Sequence, residues 1–170
     1  MQIRIENSKD YEEVYQLVAK AFASAEHKDG NEQDLVTALR KSEAFIPELS
    51  LVAEEAGRIV GHILFTKIKI GNETGLALAP LSVLPEYQKR GIGQALIIKG
   101  HEIATELGYK YSVVLGSERY YPKTGYIPAE KYGIKAPFEV PTENFMAYDL
   151  QGNSDKLNGI VEYAKEFFEV

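Results

Sequence analysis

A short basic loop with two glycines is the stretch of this chain best suited to chemistry. It lies between a predicted strand and a predicted helix and comprises Gln88, Lys89, Arg90, Gly91, Ile92, Gly93 and Gln94. The first N–H groups of a helix have no partner inside the helix, and the helix dipole makes that end positive. Glycines let the backbone approach a ligand closely, and the two basic side chains add charge. The loop therefore predicts a site for a phosphate or pyrophosphate group.

Two widespread phosphate-binding patterns are absent from this loop. The dinucleotide fingerprint G-x-G-x-x-G needs a third glycine, and the chain has only Gly91 and Gly93 here. The P-loop pattern, which ends in G-K followed by Ser or Thr, does not occur either. An ordinary strand-to-helix turn with solvated basic residues is the alternative interpretation.

A proline inside the preceding predicted strand, residues 76–84, is the second unusual feature. Pro80 has no N–H to donate to a neighbouring strand, so we expect a bulge or a separation of strands there. A separation would leave N–H groups unpaired around Ser82 and Val83. Such donors suit a ligand's amide or a developing oxyanion. An edge-strand proline without functional meaning is the alternative.

The elements that must position these features alternate between strands and helices. Alternating or β-branched runs predict strands over residues 2–6, 49–54, 59–70, 76–84, 111–115, 138–141 and 145–150. Apolar stripes at helical spacing predict helices over residues 8–25, 31 or 32 to 41, 93–107 and 153–170. Three successive strands joined by short turns predict an antiparallel meander. The strand at 111–115 should be parallel to its predecessor, because a helix connects them.

The composition limits the classes of function that this chain can have. The chain has 170 residues, enough for one sizeable core, and a net charge of −6, which argues against nucleic acid as a general partner. It has no cysteine, which excludes disulfides, a thiolate nucleophile and Cys-based metal sites. No group of histidines and carboxylates has metal-ligand spacing, so we expect no metal. Without a signal-like or membrane-spanning apolar run, a cytoplasmic location without membrane contact is the default expectation.

Three segments of the chain resemble the GNAT family of N-acetyltransferases. Gln88-x-x-Gly91-x-Gly93 resembles their acyl-CoA signature Q/R-x-x-G-x-G/A. LVAEEAGRIVGHILFT resembles the hairpin before their cofactor strand, and YYPKTGY resembles a segment downstream of it. These segments run from about residue 49 to 126 in the family's order. The resemblance implies an α/β (α+β) fold with a mixed, mostly antiparallel sheet, parted central strands and flanking helices.

The resemblance also implies acetyl-CoA as co-substrate and a primary amine, of a small molecule or a peptide, as acceptor. Residues 88–94 match the family's pyrophosphate loop, and Leu81, Ser82 and Val83 match the strand that pairs with the pantetheine arm. The Val83 N–H matches the donor that polarises the thioester carbonyl. Tyr121 matches the tyrosine near the thioester sulfur, with Tyr120 as the alternative because the preceding connection is shorter than in many members. No covalent enzyme intermediate is needed, in agreement with the absence of cysteine.

Several expectations remain open at this stage. Glu54 is a candidate general base, and an ordered water chain is an equal alternative. His62 fits a strand histidine that is hydrogen-bonded within the protein better than it fits a base. Residues 1–150 are expected to form the acetyltransferase domain, with residues 151–170 as an amphipathic helix packed on it or making a homodimer contact. A non-catalytic GNAT-like module that binds acyl-CoA as a sensor is the alternative function.

Overall fold

The computed structural model describes residues 1–23 and 30–169. Its strands are β1 Gln2–Ile5, β2 Phe45–Glu55, β3 Arg58–Ile70, β4 Glu73–Val83, β5 Tyr111–Leu115, β6 Ile127–Pro128, β7 Ile134–Lys135, β8 Phe145–Asp149 and β9 Gly159–Glu162. Its α-helices are α1 Tyr11–Ala23, α2 Glu32–Arg40 and α3 Ile92–Glu106. Short 3₁₀ turns precede α1 and α3 and occupy Tyr121–Thr124, Ala129–Tyr132, Thr142–Asn144 and Lys165–Phe168. The predicted meander and the predicted helix after the basic loop are both present.

One mixed sheet carries the fold, with strands in the order β1-β2-β3-β4-β5-β8-β6. Neighbours along this order are antiparallel except β4 and β5, which are parallel because α3 connects them. The hairpin between β2 and β3 turns at Ala56 and Gly57, both with positive φ. The predicted fold class, a mostly antiparallel sheet with flanking helices, is therefore confirmed.

The helices cover opposite faces of the sheet. Gly61 of β3 lies under α3, because a Cβ placed on it would come 3.0 Å from Leu96 and 3.1 Å from Ile92. The next residue, His62, points to the opposite face, as successive strand residues do. There its ring reaches Ser50 and Glu6, and Glu6 in turn binds Arg40 of α2. The main core fills both layers, with buried members such as Val14, Leu17, Leu39, Ile63, Phe65 and Leu96.

The prediction of a helix over residues 153–170 is wrong for the residues that the structure describes. The segment forms β9 and a 3₁₀ turn, Lys165–Phe168. β9 pairs with the end of β3 and with β7, and its Val161 is fully buried whereas Ile160 is mostly exposed. Gly159 passes so close to Gly71 that a Cβ would lie 2.6 Å from the Gly71 nitrogen. Pairing with β3 therefore overrides the helical spacing of the apolar residues; Val170 lies outside the described residues.

Two smaller corrections concern element ends. Residues 138–141 form no strand; the regular structure lies earlier, in β7, since Pro137 and Pro141 bracket the segment. The first predicted helix begins as a 3₁₀ turn, Ser8–Asp10, that Asn7 and Asp10 cap reciprocally. Its predicted last two residues, 24 and 25, lie outside the described residues.

Candidate active site

The sheet opens along the second half of β4. β5 pairs with β4 only at Leu76 and Ala77, whereas β3 pairs with β4 as far as Val83. A bulge near Pro80 accompanies the separation. Ile63 and Phe65, two positions apart on β3, pair with Leu81 and Leu78, which are three positions apart on β4. The Ala79–Pro80 peptide is cis. The bulge and the separation that Pro80 predicts are both confirmed.

The hydrogen-bond pattern of β4 shows which N–H groups face this opening. The Leu84 N–H donates to the Val60 carbonyl at 3.0 Å, so residue 84 points towards β3. Alternation along an extended strand then directs Ser82 towards β3, and Leu81 and Val83 towards the opening. Independent support comes from the Val83 carbonyl, which accepts a bond from Gln88 Nε2 at 3.1 Å on the open side. Of the two expected donors, Val83 therefore faces the opening and Ser82 does not.

A cavity of about 340 Å³ fills the opening and extends to the start of α3. It is lined by Leu81, Val83, Tyr87, Gln88, Lys89, Gly91, Ile92, Gly93, Gln94, Tyr120 and Tyr121. All but one of these residues are among the predicted site residues; Tyr87 is the addition. Arg90 lies beside the cavity, with its guanidinium 4.9 Å from the centre of the Tyr87 ring. Tyr87 belongs to the 3₁₀ turn Pro85–Tyr87 that precedes the loop.

The basic loop presents free backbone donors to this cavity. Gly91 precedes α3 in the left-handed region, with φ of 83°, and no side chain of the described residues caps the helix. The first bond of the helical pattern runs from the Ala95 N–H to the Gly91 carbonyl, at 3.0 Å. The N–H groups of Ile92, Gly93 and Gln94 consequently lack helical partners. With Lys89 beside them, they form a helix N-terminus of the kind that suits an anion.

Two tyrosines close the other side of the cavity. Tyr120 and Tyr121 stand edge to face, with ring centres 5.1 Å apart. The Tyr120 hydroxyl lies against Gly93, and the Tyr121 ring packs against Gly116, where any side chain would collide with it. Burial raises the pKa of Tyr121, and the neighbouring Tyr120 raises it further. Burial raises the pKa of Tyr120 as well. Both hydroxyls therefore keep their protons at neutral pH and are available as donors.

Two predicted site residues lie apart from the cavity lining. Ser82 is buried, and its side chain points to the face opposite α3. The Glu54 carboxylate contacts the Arg4 guanidinium at 3.4 Å at the end of β2. Among the residues that the structure describes, those lining the cavity include neither a carboxylate nor a histidine. Glu54 as general base stays a prediction.

The two histidines in the described ranges take structural positions. His62 is fully buried; burial, outweighing the attraction of Glu6, lowers its pKa to about 4. His101 of α3 bonds to the Tyr126 hydroxyl at 3.0 Å and stacks on Tyr148, and burial lowers its pKa to about 4. His27 lies outside the described residues. Within the described ranges no cluster of three potential metal ligands occurs, and no helix is both long and apolar enough to cross a membrane.

Comparison with known proteins agrees with this geometry. Residues 11–126 match the model of the Acetyltransferase (GNAT) family. The chain is 36% identical over 152 residues to the uncharacterized N-acetyltransferase YjhQ of Escherichia coli K12, covering 86% of this chain and 81% of YjhQ.

Two solved structures share the architecture along nearly the whole chain. YhbS of Escherichia coli, a GNAT N-acetyltransferase solved in complex with CoA, superposes with a TM-score of 0.89 at 25% identity, over 98% of this chain and 91% of YhbS. A GNAT acetyltransferase of Brucella melitensis in complex with acetyl-CoA superposes with a TM-score of 0.81 at 32% identity, over 98% and 97% of the two chains. The family match and these relatives together show that the chain belongs to the GNAT family of acetyltransferases.

Proposed function

We propose that this protein transfers the acetyl group of acetyl-CoA to a primary amine by direct attack of the amine on the thioester. The observation that carries the proposal is the opening between β4 and β5 beside an uncapped, glycine-bearing helix N-terminus. The CoA and acetyl-CoA complexes of the two related structures support it. The acceptor is an amine of a small molecule or of a protein.

The loop would hold the cofactor's diphosphate. Ile92, Gly93 and Gln94, whose N–H groups have no helical partners, line the cavity together with Lys89, whose φ is 65°. Backbone donors at a helix N-terminus suit a diphosphate without demanding particular side chains. The exposed strand half would take the pantetheine arm, because Leu81 and Val83 offer backbone groups towards the opening as an added strand requires.

The Val83 N–H would stabilise the charge that develops on the carbonyl oxygen. As the amine nitrogen bonds to the carbonyl carbon, that oxygen gains negative charge; the carbon–sulfur bond then breaks and the sulfur leaves as a thiolate. A backbone donor lost from such a position costs roughly 3 kcal/mol or more. Tyr121 would donate its hydroxyl proton, or a hydrogen bond, to the departing sulfur, since its raised pKa keeps it protonated.

The attacking amine must lose a proton, because the pKa of a free lysine-type amine is about 10.4. Glu54 and ordered water are the two candidates for receiving it. Within the described part of the chain the cavity lining has no carboxylate and no histidine, which favours water as the acceptor of this proton. The same observation supports the second candidate function, a GNAT-like module that binds acyl-CoA without turnover.

Calorimetry with CoA and a turnover assay together test the proposal. Acetyl-CoA is incubated with the protein and a panel of small amines and lysine-bearing peptides, and free CoA is measured with a thiol reagent. The protein has no cysteine, so it contributes no background to this reagent. Release of CoA that requires both protein and amine supports the transferase. Tight CoA binding without release across the panel supports the sensor, and failure to bind CoA overturns both.

A further inference from the structure

A chain of buried polar side chains crosses the sheet on the face opposite α3. Arg40 of α2 grips the Glu6 carboxylate with two bonds, of 2.8 and 3.0 Å. Ser50 of β2 donates to Glu6 Oε1 at 2.6 Å, and His62 Nε2 lies 3.1 Å from the Ser50 hydroxyl oxygen. The chain thus links α2 to the centre of the sheet through four side chains from four separate parts of the fold.

Proton counting assigns the tautomer of His62. A serine hydroxyl has one proton, and Ser50 gives it to Glu6. The Ser50 oxygen can then only accept, so His62 Nε2 must carry the ring proton. The imidazole is neutral, because burial lowers its pKa to about 4. His62 Nδ1 is consequently an acceptor with an open lone pair.

The cross-strand neighbour of His62 carries a second buried polar atom without a partner in the described chain. His62 Nδ1 and Ser82 Oγ both lack hydrogen-bond partners within the part of the chain that the structure describes. His62 is 0% and Ser82 2% exposed. The two residues are direct partners across β3 and β4, which places their Cβ atoms about 5 Å apart on the same face. One buried water bridging the two atoms would satisfy both.

We propose that a buried water joins His62 Nδ1 to Ser82 Oγ, and that this link makes His62 and Ser82 positioning residues for the Val83 N–H. The inference rests on the proposed acetyl transfer. Val83 follows Ser82 directly, in the half of β4 that has a sheet neighbour on one side only. An oxyanion donor must be held within a few tenths of an ångström, and the link ties this strand half to the Arg40–Glu6 pair.

The geometry separates this role from that of a general base. Neither His62 nor Ser82 lines the cavity, so neither contacts the reacting atoms. The charged groups around His62 are Glu6 and Arg40, which already neutralise each other in a two-bond pair. The contribution of His62 is therefore to hold the strand.

Three variants test the inference. Ser82→Ala removes the hydroxyl, and His62→Gln keeps a donor near the Nε2 position while removing the Nδ1 acceptor. Thr66→Val is the matched control: Thr66 lies on the same face of β3, is fully buried and has an Oγ1 without a partner in the described chain, but stands outside the link. We expect kcat to fall roughly 10-fold in the first two variants, with CoA affinity within about two-fold of wild type. The control should change neither.

Nuclear magnetic resonance supplies readouts that need no turnover. The ¹⁵N signals of the His62 ring should show a protonated Nε2 and a hydrogen-bonded Nδ1, and Ser82→Ala should shift only the latter. The Val83 amide signal should differ between the acetyl-CoA and CoA complexes in wild type and Thr66→Val, and this difference should shrink in Ser82→Ala. A protonated Nδ1, or equal behaviour of Ser82→Ala and Thr66→Val, overturns the inference.

Failure of the proposed acetyl transfer and failure of the positioning link give different results. A wild-type protein that binds acetyl-CoA but releases no CoA with any amine contradicts the proposed function. The His62 and Val83 signals decide the positioning link in that case as well. If His62→Gln does not fold, Ser82→Ala alone still gives every readout, because it removes a single buried hydroxyl.

Discussion

The two halves of β4 differ in the number of strands that they pair with. At Leu76 and Ala77 the strand has β3 on one side and β5 on the other, so its backbone groups are paired within the sheet. From Leu78 to Val83 the strand pairs with β3 alone, and Leu81 and Val83 line a cavity on the other side. Buried backbone groups without partners are costly, so a strand half of this kind persists where a ligand or water completes it. The proposed binding site is the part of the sheet where β4 has no second neighbouring strand.

The two faces of the open half differ as well. Towards α3, Leu81 and Val83 line the cavity and the nearby donors are open to a ligand. Towards α2, Ser82 and His62 are buried, and His62 lies beside the Ser50 hydroxyl. Changes on the buried face should therefore act on stability or positioning, and changes on the cavity face on ligand binding or turnover.

The largest effect is expected from acid, on the buried histidines. The pKa values of His62 and His101 are about 4 in the folded protein, against 6.5 for a free histidine, so the unfolded chain takes up protons first as pH falls. The free energy of unfolding should be at its full value above about pH 6.5 and decline towards pH 4, by about 3 kcal/mol for each histidine. Urea unfolding between pH 7.5 and 4.5 measures this decline.

A variant separates the two contributions. His101→Gln should remove about half of the decline and leave CoA binding at neutral pH near the wild-type value. A free energy of unfolding that stays flat across this range would contradict the burial of both rings.

The next effect concerns the leaving sulfur. Tyr121→Phe removes the proton donor but keeps the ring that packs against Gly116, so we expect kcat to fall roughly 100-fold with little change in CoA affinity. Tyr120→Phe is the matched control and should lower kcat much less. A larger loss in the Tyr120 variant would exchange the roles of the two tyrosines. Steady-state kinetics with the best amine of the panel provides the measurement.

Gly93 tests the fit of the cavity wall. A Cβ at this position collides with the Tyr120 hydroxyl, so Gly93→Ala must displace that side chain into the cavity. Overpacking of this kind costs about 1–3 kcal/mol, which corresponds to roughly 5- to 150-fold in the Kd for CoA. Adding Tyr120→Phe removes the colliding oxygen, and the next ring atom is 3.4 Å away. The double variant should recover most of the affinity; persistent loss would refute the steric explanation.

The smallest effect compares the two ends of α3. Gly91 and Gly108 have φ of 83° and 90°, and at both positions a Cβ would meet no described atom within 4 Å. Alanine at either position should cost about 1 kcal/mol of stability from backbone strain alone. Only Gly91→Ala should also weaken CoA binding, because Gly91 lines the cavity. Equal CoA affinities in the two variants would place the ligand away from this loop.

Much of the site was predictable because its signals are local. Three features could be identified from the sequence because each affects only a few neighbouring residues. They are Gly91, which allows a positive φ, Pro80, which has no N–H, and Lys89 in the basic loop before the helix. The helix predicted over 153–170 failed for the opposite reason. Its apolar spacing satisfied a helix, but the partner that decided its structure, the end of β3, lies about 90 residues earlier in the chain.

The sequence by itself determined the strand, the loop and the helix that begins with free N–H groups, because hydrogen-bonding capacity and backbone freedom belong to individual residues. Only the tertiary structure decided that Ser82 turns away from the opening and that Glu54 contacts Arg4. It also brought Glu6, Arg40, Ser50 and His62 together in one buried chain. These outcomes depend on strand register and on which face of the sheet each helix covers, and both are set by contacts between residues distant in sequence.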